Sequence, residues 1–400
     1  MKKKIVSVFL AFVLLLLSVP AAFAAEPAGL SFRPDGTFTI LQLSDPQDDA
    51  YPAWDMLNLL KRAVQTANPD LIVLTGDLVE DRRVGDLASD ARPGIEGVNV
   101  NTLTGGLNAE KTRANVEKAV DAVLGTLEGF GVPYVIALGN NDRKVGLSGA
   151  DWLEIFSAYP HCVIFDESPD AADGIDYHVT VKNTAGEAAL NVWLMDSGLH
   201  GISDAQVDWY KSASKAAAAA NGGVPVPAVA FQHIQIADIG NLFEPCAATD
   251  EGARKTDSGF VRLNKEIANG YNFYGWTPGQ TSYEFTAWKE CGDVMAAFFG
   301  HQHVEGFSGV WDGIELGFTY GCEMAKTGPY GFRVFTFREN DIRNYENVSY
   351  VYTGKVKLGT DTVTAEAYGP YETPSNPVSA LLLRLRALLR SLVSVIVSLF

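Results

Sequence analysis

YVIALGNNDRK, residues 134–144, runs from five mostly apolar residues straight into Gly-Asn-Asn-Asp. The apolar run has the length of a short buried strand, and the polar tetrad after it is turn chemistry. Two amides and a carboxylate therefore stand where the chain leaves a sheet, and Gly139 lets it turn. Upstream the pattern repeats. TFTILQL (37–43) and LIVLT (71–75) are strand-like. AWDMLNLLKRAVQTA (53–67) and EKTRANVEKAVDAVLGTLEGF (110–130) carry apolar residues at helical spacing. The order β-α-β-α-β predicts parallel strands with helices packed on the sheet. In such sheets ligands collect at the loops beyond the carboxyl ends of the strands. The Gly-, Asp- and Asn-rich segment 81–106 reads as a long surface loop beside that edge.

The second half is richer in strands: 176–181, 190–196, 228–232, 294–299 and 332–337, with helices near 204–220 and 281–291. A second sheet stacked on the first is the simplest way to bury them. The expected fold class is α/β, two stacked mixed β-sheets flanked by helices. With 400 residues, 47% of them hydrophobic, the chain has length for such a core.

Both ends read differently from the middle. Residues 1–24 combine a lysine cluster, an apolar run and Ala22-Phe23-Ala24, the pattern of a secretory signal peptide, with a retained membrane anchor as the other reading. Cleavage there would remove Lys2, Lys3 and Lys4 and take the formal charge from −17 to −20. So acidic a chain disfavours long nucleic acid as a partner. The four cysteines are widely spaced, form no CxxC pair, and leave both disulfides and free thiols open. Segment 346–378 reads as a strand and linker. Segment 379–400 reads as a basic, amphipathic helix, suited to a membrane surface or to docking on protein. The oligomeric state is open.

Five predicted strand ends carry residue types that bind metals. They are Asp45 and Gln47 in LSDPQDD, Asp77 in LTGDLVED, Asn140, His233 in FQHIQI, and His301 and His303 in FFGHQHVEGF. An H-x-H pair on an extended segment points both imidazoles the same way. Hard oxygens mixed with imidazole nitrogen suit Mn, Fe, Zn or Co rather than a thiolate site.

In this order the motifs resemble those of the calcineurin-like metallophosphoesterases: D-P-Q (45–47), G-D (76–77), G-N-N-D (139–142), H (233) and G-H-Q-H (300–303). The context, including VWLMDSG (192–198), DAQVDWY (204–210) and the stretch 320–331, is similar to a secreted bacterial branch of that family. The resemblance implies a catalytic domain over 30–345 and two divalent or trivalent metal ions (Mn, Fe or Zn). Asp45, Gln47 and His303 would bind the first, Asn140, His233 and His301 the second, and Asp77 would bridge them. A metal-bound hydroxide would then attack the phosphorus of a small phosphorylated substrate, an ester or a phosphoanhydride.

Two positions depart from the family pattern. Gln47 stands where a histidine is usual, a harder ligand that does not titrate and favours Mn-like or Mg-like ions. Asn141 stands where a histidine usually contacts phosphate and helps protonate the leaving group; an amide can hydrogen-bond phosphate but cannot supply that proton. Asn141 and Asp142 are nevertheless the candidate catalytic residues beside the metals. Asp142, His200 or water could donate the proton, and Asp142 could equally orient a ligand histidine. His161 and His178 read as structural. Tyr271, Phe273, Tyr274 and Trp276 could stack on a base or sugar, or pack as a hydrophobic loop. A non-catalytic cell-surface binding protein that keeps the fold is the alternative function.

Overall fold

The computed structural model describes residues 29–86, 108–168, 174–257, 259–275, 279, 282–324, 328–353 and 361–366. Segments 1–24 and 379–400 lie outside them. The first half alternates strands and helices. It comprises β1 Thr37–Leu43, α1 Trp54–Ala67, β2 Leu71–Thr75, α2 Asp81–Val84, α3 Ala109–Glu128, β3 Tyr134–Ala137, α4 Asn140–Lys144 and α5 Gly149–Phe156. There follow β4 Tyr177–Lys182, β5 Ala188–Met195, α6 Asp204–Ala220 and β6 Ala228–Gln232. Short strands β7 Phe243–Pro245, β8 Arg254–Thr256, β9 Gly259–Leu263 and β10 Ala268–Asn269 come next, then α7 Glu284–Cys291. The rest is β11 Val294–Phe299, β12 Ser308–Trp311, β13 Ile314–Phe318, β14 Tyr330–Arg338, β15 Glu346–Thr353 and β16 Thr362–Glu366.

Two mixed sheets form. One has the order β16-β15-β14-β1-β2-β3, the other β10-β12-β13-β11-β6-β5-β4. β1, β2 and β3 are parallel, as are β5, β6, β11 and β13. These strands are buried on both faces, which is why they read as unbroken apolar runs. The sheets stack face to face. Phe335 of β14 meets Phe231 of β6 and Phe298 of β11, with ring centroids 5.7 and 4.7 Å away. Helix α1 lies on β1 and β14 beside α3. Val207 and Tyr210 of α6 join Phe285 and Trp288 of α7 in a second core, with Trp193 and Phe299 of the second sheet. The result is the expected α/β architecture of two stacked mixed sheets flanked by helices.

Several boundaries differ from the sequence reading. Asp81–Val84 form a helical turn where a loop was expected. Helix α3 starts one residue early because the Asn108 side chain caps it, accepting from Lys111 N at 3.1 Å. The strand expected from 346 is β15, which pairs with β14 along its length, and a further strand, β16, pairs with β15; residues 367–378 of the expected linker lie outside the described residues. The first sheet therefore continues past 345 to Glu366. All four cysteines are free. Among the described residues no helix is long and apolar enough to cross a membrane.

Candidate metal centre

The carboxyl ends of β1, β2, β3, β6 and β11 point to one edge, and the loops leaving them carry the candidate ligands. The chain is strained there. Asp45, Gln47, Asp77 and His301 have φ of +48°, +37°, +49° and +68°, a left-handed backbone that non-glycine residues rarely adopt. Only two other non-glycine residues, Asn68 and Asp312, share it among the described residues. Strain gathered at four candidate ligands points to a functional constraint. Backbone bonds hold the bends, with Gln47 N donating to Asp77 O at 2.9 Å and Asp45 N to Gly76 O at 3.1 Å. Gly139 matters for closeness rather than for turning, since its φ is −106°. A Cβ there would lie 2.2 Å from Asp77 N.

Two overlapping groups result. Asp77, His233 and His301 present ligand atoms within 4.8 Å of one another, and so do Asp45, Asp77 and His303. Asp77 belongs to both. The Thr75 carbonyl, 2.8 Å from His233 Nδ1, fixes the proton there and leaves the Nε2 lone pair facing inward. Asp77 Oδ2, Asn140 Oδ1 and His301 Nδ1 each lie 3.2 Å from that Nε2. With the Asn140 oxygen facing inward, one proton can satisfy one such contact, whereas a cation satisfies all of them together; with the amide turned over, its NH2 faces His301 Nδ1 at 2.8 Å and His233 Nε2 at 3.2 Å instead. In the other group Asp45 Oδ1 accepts no hydrogen bond and lies 3.3 Å from His303 Nε2. Gln47 Oε1 is buried without a partner. Buried acceptors without donors are costly, so the donor set fits metal ions.

The electrostatics agree. Burial opposes a charge on His233, yet Asp77 and Asp45 outweigh it and raise the imidazole to about 10. Burial would also raise Asp77, but His233, with help from Asn141 N–H, lowers it to about 2. Burial, the neighbouring His233 and His303, and the Lys144 ammonium lower His301 to about 3. The site draws positive charge to one point.

The two candidate catalytic residues face inward to the fold. Asn141 N donates to Asp77 Oδ1 at 2.7 Å and Asn141 Nδ2 to Asp77 Oδ2 at 2.6 Å, so this residue clamps the shared carboxylate. Asp142 accepts from Gly139 N at 2.9 Å and Val79 N at 3.2 Å, joining the loops after β3 and β2, and meets no histidine. Burial, reinforced by Asp77, raises it to about 8. His200 is exposed on the turn after β5. His161 and His178 pair with Glu128 and Glu167, at 2.5 and 2.7 Å. Phe273 and Tyr274 are exposed, and their backbone N–H groups donate to Glu305, two residues after His303. Trp276 lies outside the described residues.

Three residues escaped sequence reasoning. Arg83 donates from Nη2 to the Gln47 carbonyl at 2.9 Å and holds that bend. Glu323 sits 2.7 Å from His303 Nδ1, twenty positions away in sequence, and aims the other ring nitrogen at Asp45. Lys144 ends α4, its Nζ 3.2 Å from Asn141 Oδ1. Only Lys144 carried a signal, as a cation inside the quoted stretch. Because a carboxylate behind a ligand imidazole sets its orientation and basicity, Glu323→Gln should weaken metal affinity about 10- to 100-fold. Manganese titration followed by calorimetry checks this, and an unchanged affinity would remove Glu323 from the centre.

Comparison with known proteins gives this arrangement a family. The chain is 24% identical over 371 residues to "Probable inactive purple acid phosphatase 14" of Arabidopsis thaliana, covering 82% of this chain and 80% of that one. It is 24% identical over 386 residues to "Probable inactive purple acid phosphatase 28" of the same plant, covering 83% and 79%. A crystallised dimetal phosphatase from Danio rerio is 12% identical, covering 83% of this chain and 99% of that one, with a TM-score of 0.46. The sequence model for the calcineurin-like phosphoesterases matches residues 38–305, more than half of the chain, and to that family the protein belongs.

Proposed function

We propose that this chain is a two-metal hydrolase of small phosphate esters or phosphoanhydrides. The observation that carries the reading is the pair of ligand groups sharing Asp77, all within the span that matches the family. Asp45, Gln47, Asp77 and His303 would hold one ion, and Asp77, Asn140, His233 and His301 the other. Divalent ions so held supply a nucleophile near neutral pH and neutralise charge on the phosphoryl oxygens. The protein's own part is orientation. Thr75 sets His233, Glu323 sets His303, Arg83 holds Gln47, and Asn141 fixes both oxygens of Asp77. No titrating side chain stands at position 141, so good leaving groups (aryl phosphates, phosphoanhydrides) are the expected substrates.

A second reading has its own support. The Asn141 amide is committed to Asp77, and both plant relatives carry "inactive" in their names. On that reading the chain binds metal and phosphate without turnover. Chelated protein reloaded with manganese should release phosphate from p-nitrophenyl phosphate and from nucleoside diphosphates. Bound manganese with no release from either selects the second reading, and no bound metal removes both. The proposal extends to export, from residues 1–24, and to membrane-surface contact through 379–400. N-terminal sequencing of secreted protein and cosedimentation with anionic vesicles check these.

A further inference from the structure

Helix α4 turns Asn140 and Lys144, four residues apart, to the same face. An ammonium group therefore stands beside the candidate metal centre. It is half-buried, and its hydrogen bond is to an amide oxygen, Asn141 Oδ1 at 3.2 Å, rather than to a carboxylate. Lys144 Nζ also lies 2.9 Å from the Asn140 side-chain amide. With Asn140 Oδ1 toward His233, the group facing Lys144 is the NH2, donor against donor. Turning the amide over gives Lys144 an acceptor, but then an NH2 faces His301 Nδ1 at 2.8 Å and His233 Nε2 at 3.2 Å. Asn140 can offer its oxygen to a cation or to Lys144, but not to both. Once that oxygen serves a cation, the ammonium lies near like charge with an unfavourable neighbour, and an anion resolves both problems.

The charge balance indicates which anion. Of the seven candidate ligands only Asp45 and Asp77 are carboxylates; the others are amides and imidazoles. Two divalent ions outweigh two carboxylates, and Lys144 adds to the surplus. A phosphomonoester carries between about −1.5 and −2 at neutral pH, whereas a diester has a single ionisable oxygen. We propose that Lys144 is a phosphate-binding residue of the metal-loaded site, released when Asn140 turns its oxygen to a cation. It favours phosphomonoesters and terminal phosphates over phosphodiesters. The inference rests on the metal-centre reading above and adds its substrate class.

The test uses the full chain loaded with manganese, with orthophosphate as the binding probe in calorimetry. Lys144→Gln should weaken orthophosphate about tenfold, the loss of one charge-assisted hydrogen bond, and Lys144→Arg should restore most of it. The chelated protein should bind orthophosphate weakly with or without the substitution. With p-nitrophenyl phosphate, Lys144→Gln should raise KM more than it lowers kcat. With bis(p-nitrophenyl) phosphate the change should be small, so the monoester preference falls. If glutamine lowers the thermal midpoint, Lys144→Met, which keeps the apolar stem, repeats the measurement. Unchanged orthophosphate affinity in a folded variant overturns the inference, as does an equal loss on both esters or a loaded chain with no orthophosphate affinity. A chain that binds no manganese overturns the metal-centre reading itself.

Discussion

Asp77→Asn should cut kcat by at least about a thousandfold while leaving the fold in place. Asp77 is the one side chain in both ligand groups, so its charge would serve both ions of the proposed centre. Metal ions contribute several kcal/mol of charge stabilisation in the transition state, and each 1.36 kcal/mol is tenfold in rate. Losing even part of that reaches three orders of magnitude. The amide also conflicts locally. Its NH2 must face an Asn141 donor in either orientation, the backbone N–H on the Oδ1 side or the side-chain Nδ2 on the Oδ2 side, where the carboxylate accepted from both and Oδ2 also met His233 Nε2 at 3.2 Å. The backbone, by contrast, tolerates the change, because asparagine accepts a φ of +49° as readily as aspartate does. Bound manganese should fall with activity, and the thermal midpoint of the chelated protein should move by only a few degrees. Turnover retained in this variant would sink the assignment.

The parts of the fold legible in the sequence share a physical property. β1, β2, β6 and β11 are buried on both faces, so each is an apolar run ended by Gly, Asp or a polar pair. The short strands β7 to β10 and the β12–β13 hairpin left no such mark. Their burial is partial or their length is four or five residues at most. β15 alternates buried and exposed positions along much of its length, the mark of a strand with one covered face, and it pairs with β14 throughout.

The site divides the same way. Residue types and motif order picked out Asp45, Asp77, Asn140, His233, His301 and His303, which the structure brings together; Gln47 joins their edge with its side-chain oxygen buried and unpaired. What supports them was not legible. Glu323 and Arg83 act across the fold, from the connection between β13 and β14 and from a segment that read as loop. The role of Gly139 was misread in kind, since the need is for a missing Cβ beside Asp77 and not for a turn. Asn141 stands where the family resemblance implies a histidine, and its amide is spent on Asp77. Only contact geometry could show that.

The pH dependence of metal loading follows from His233. In the metal-free protein burial would lower its pKa, but Asp77 and Asp45 outweigh burial and raise it to about 10. At pH 7 the imidazole therefore carries a second proton, on the Nε2 that faces Asp77, Asn140 and His301. A ligand imidazole must be neutral, so each ion taken up there displaces that proton. His301, lowered to about 3, and Asp77, lowered to about 2, are already in their binding forms and add no competition. One competing proton gives about a tenfold rise in affinity per pH unit, hence about a hundredfold between pH 6 and pH 8. The stability of the metal-free protein moves the other way. The raised histidine stabilises fully below its unfolded value near 6.5, and that contribution is lost as pH climbs through about 10. The loaded protein keeps a cation in place of the proton and should not show this loss, so the gap between the two thermal midpoints should widen with pH. Calorimetry of manganese binding in buffers of different ionisation enthalpy measures the proton released. A pH-independent affinity with no proton release would mean that the ion does not bind on His233, and the second ligand group would have to be assigned elsewhere.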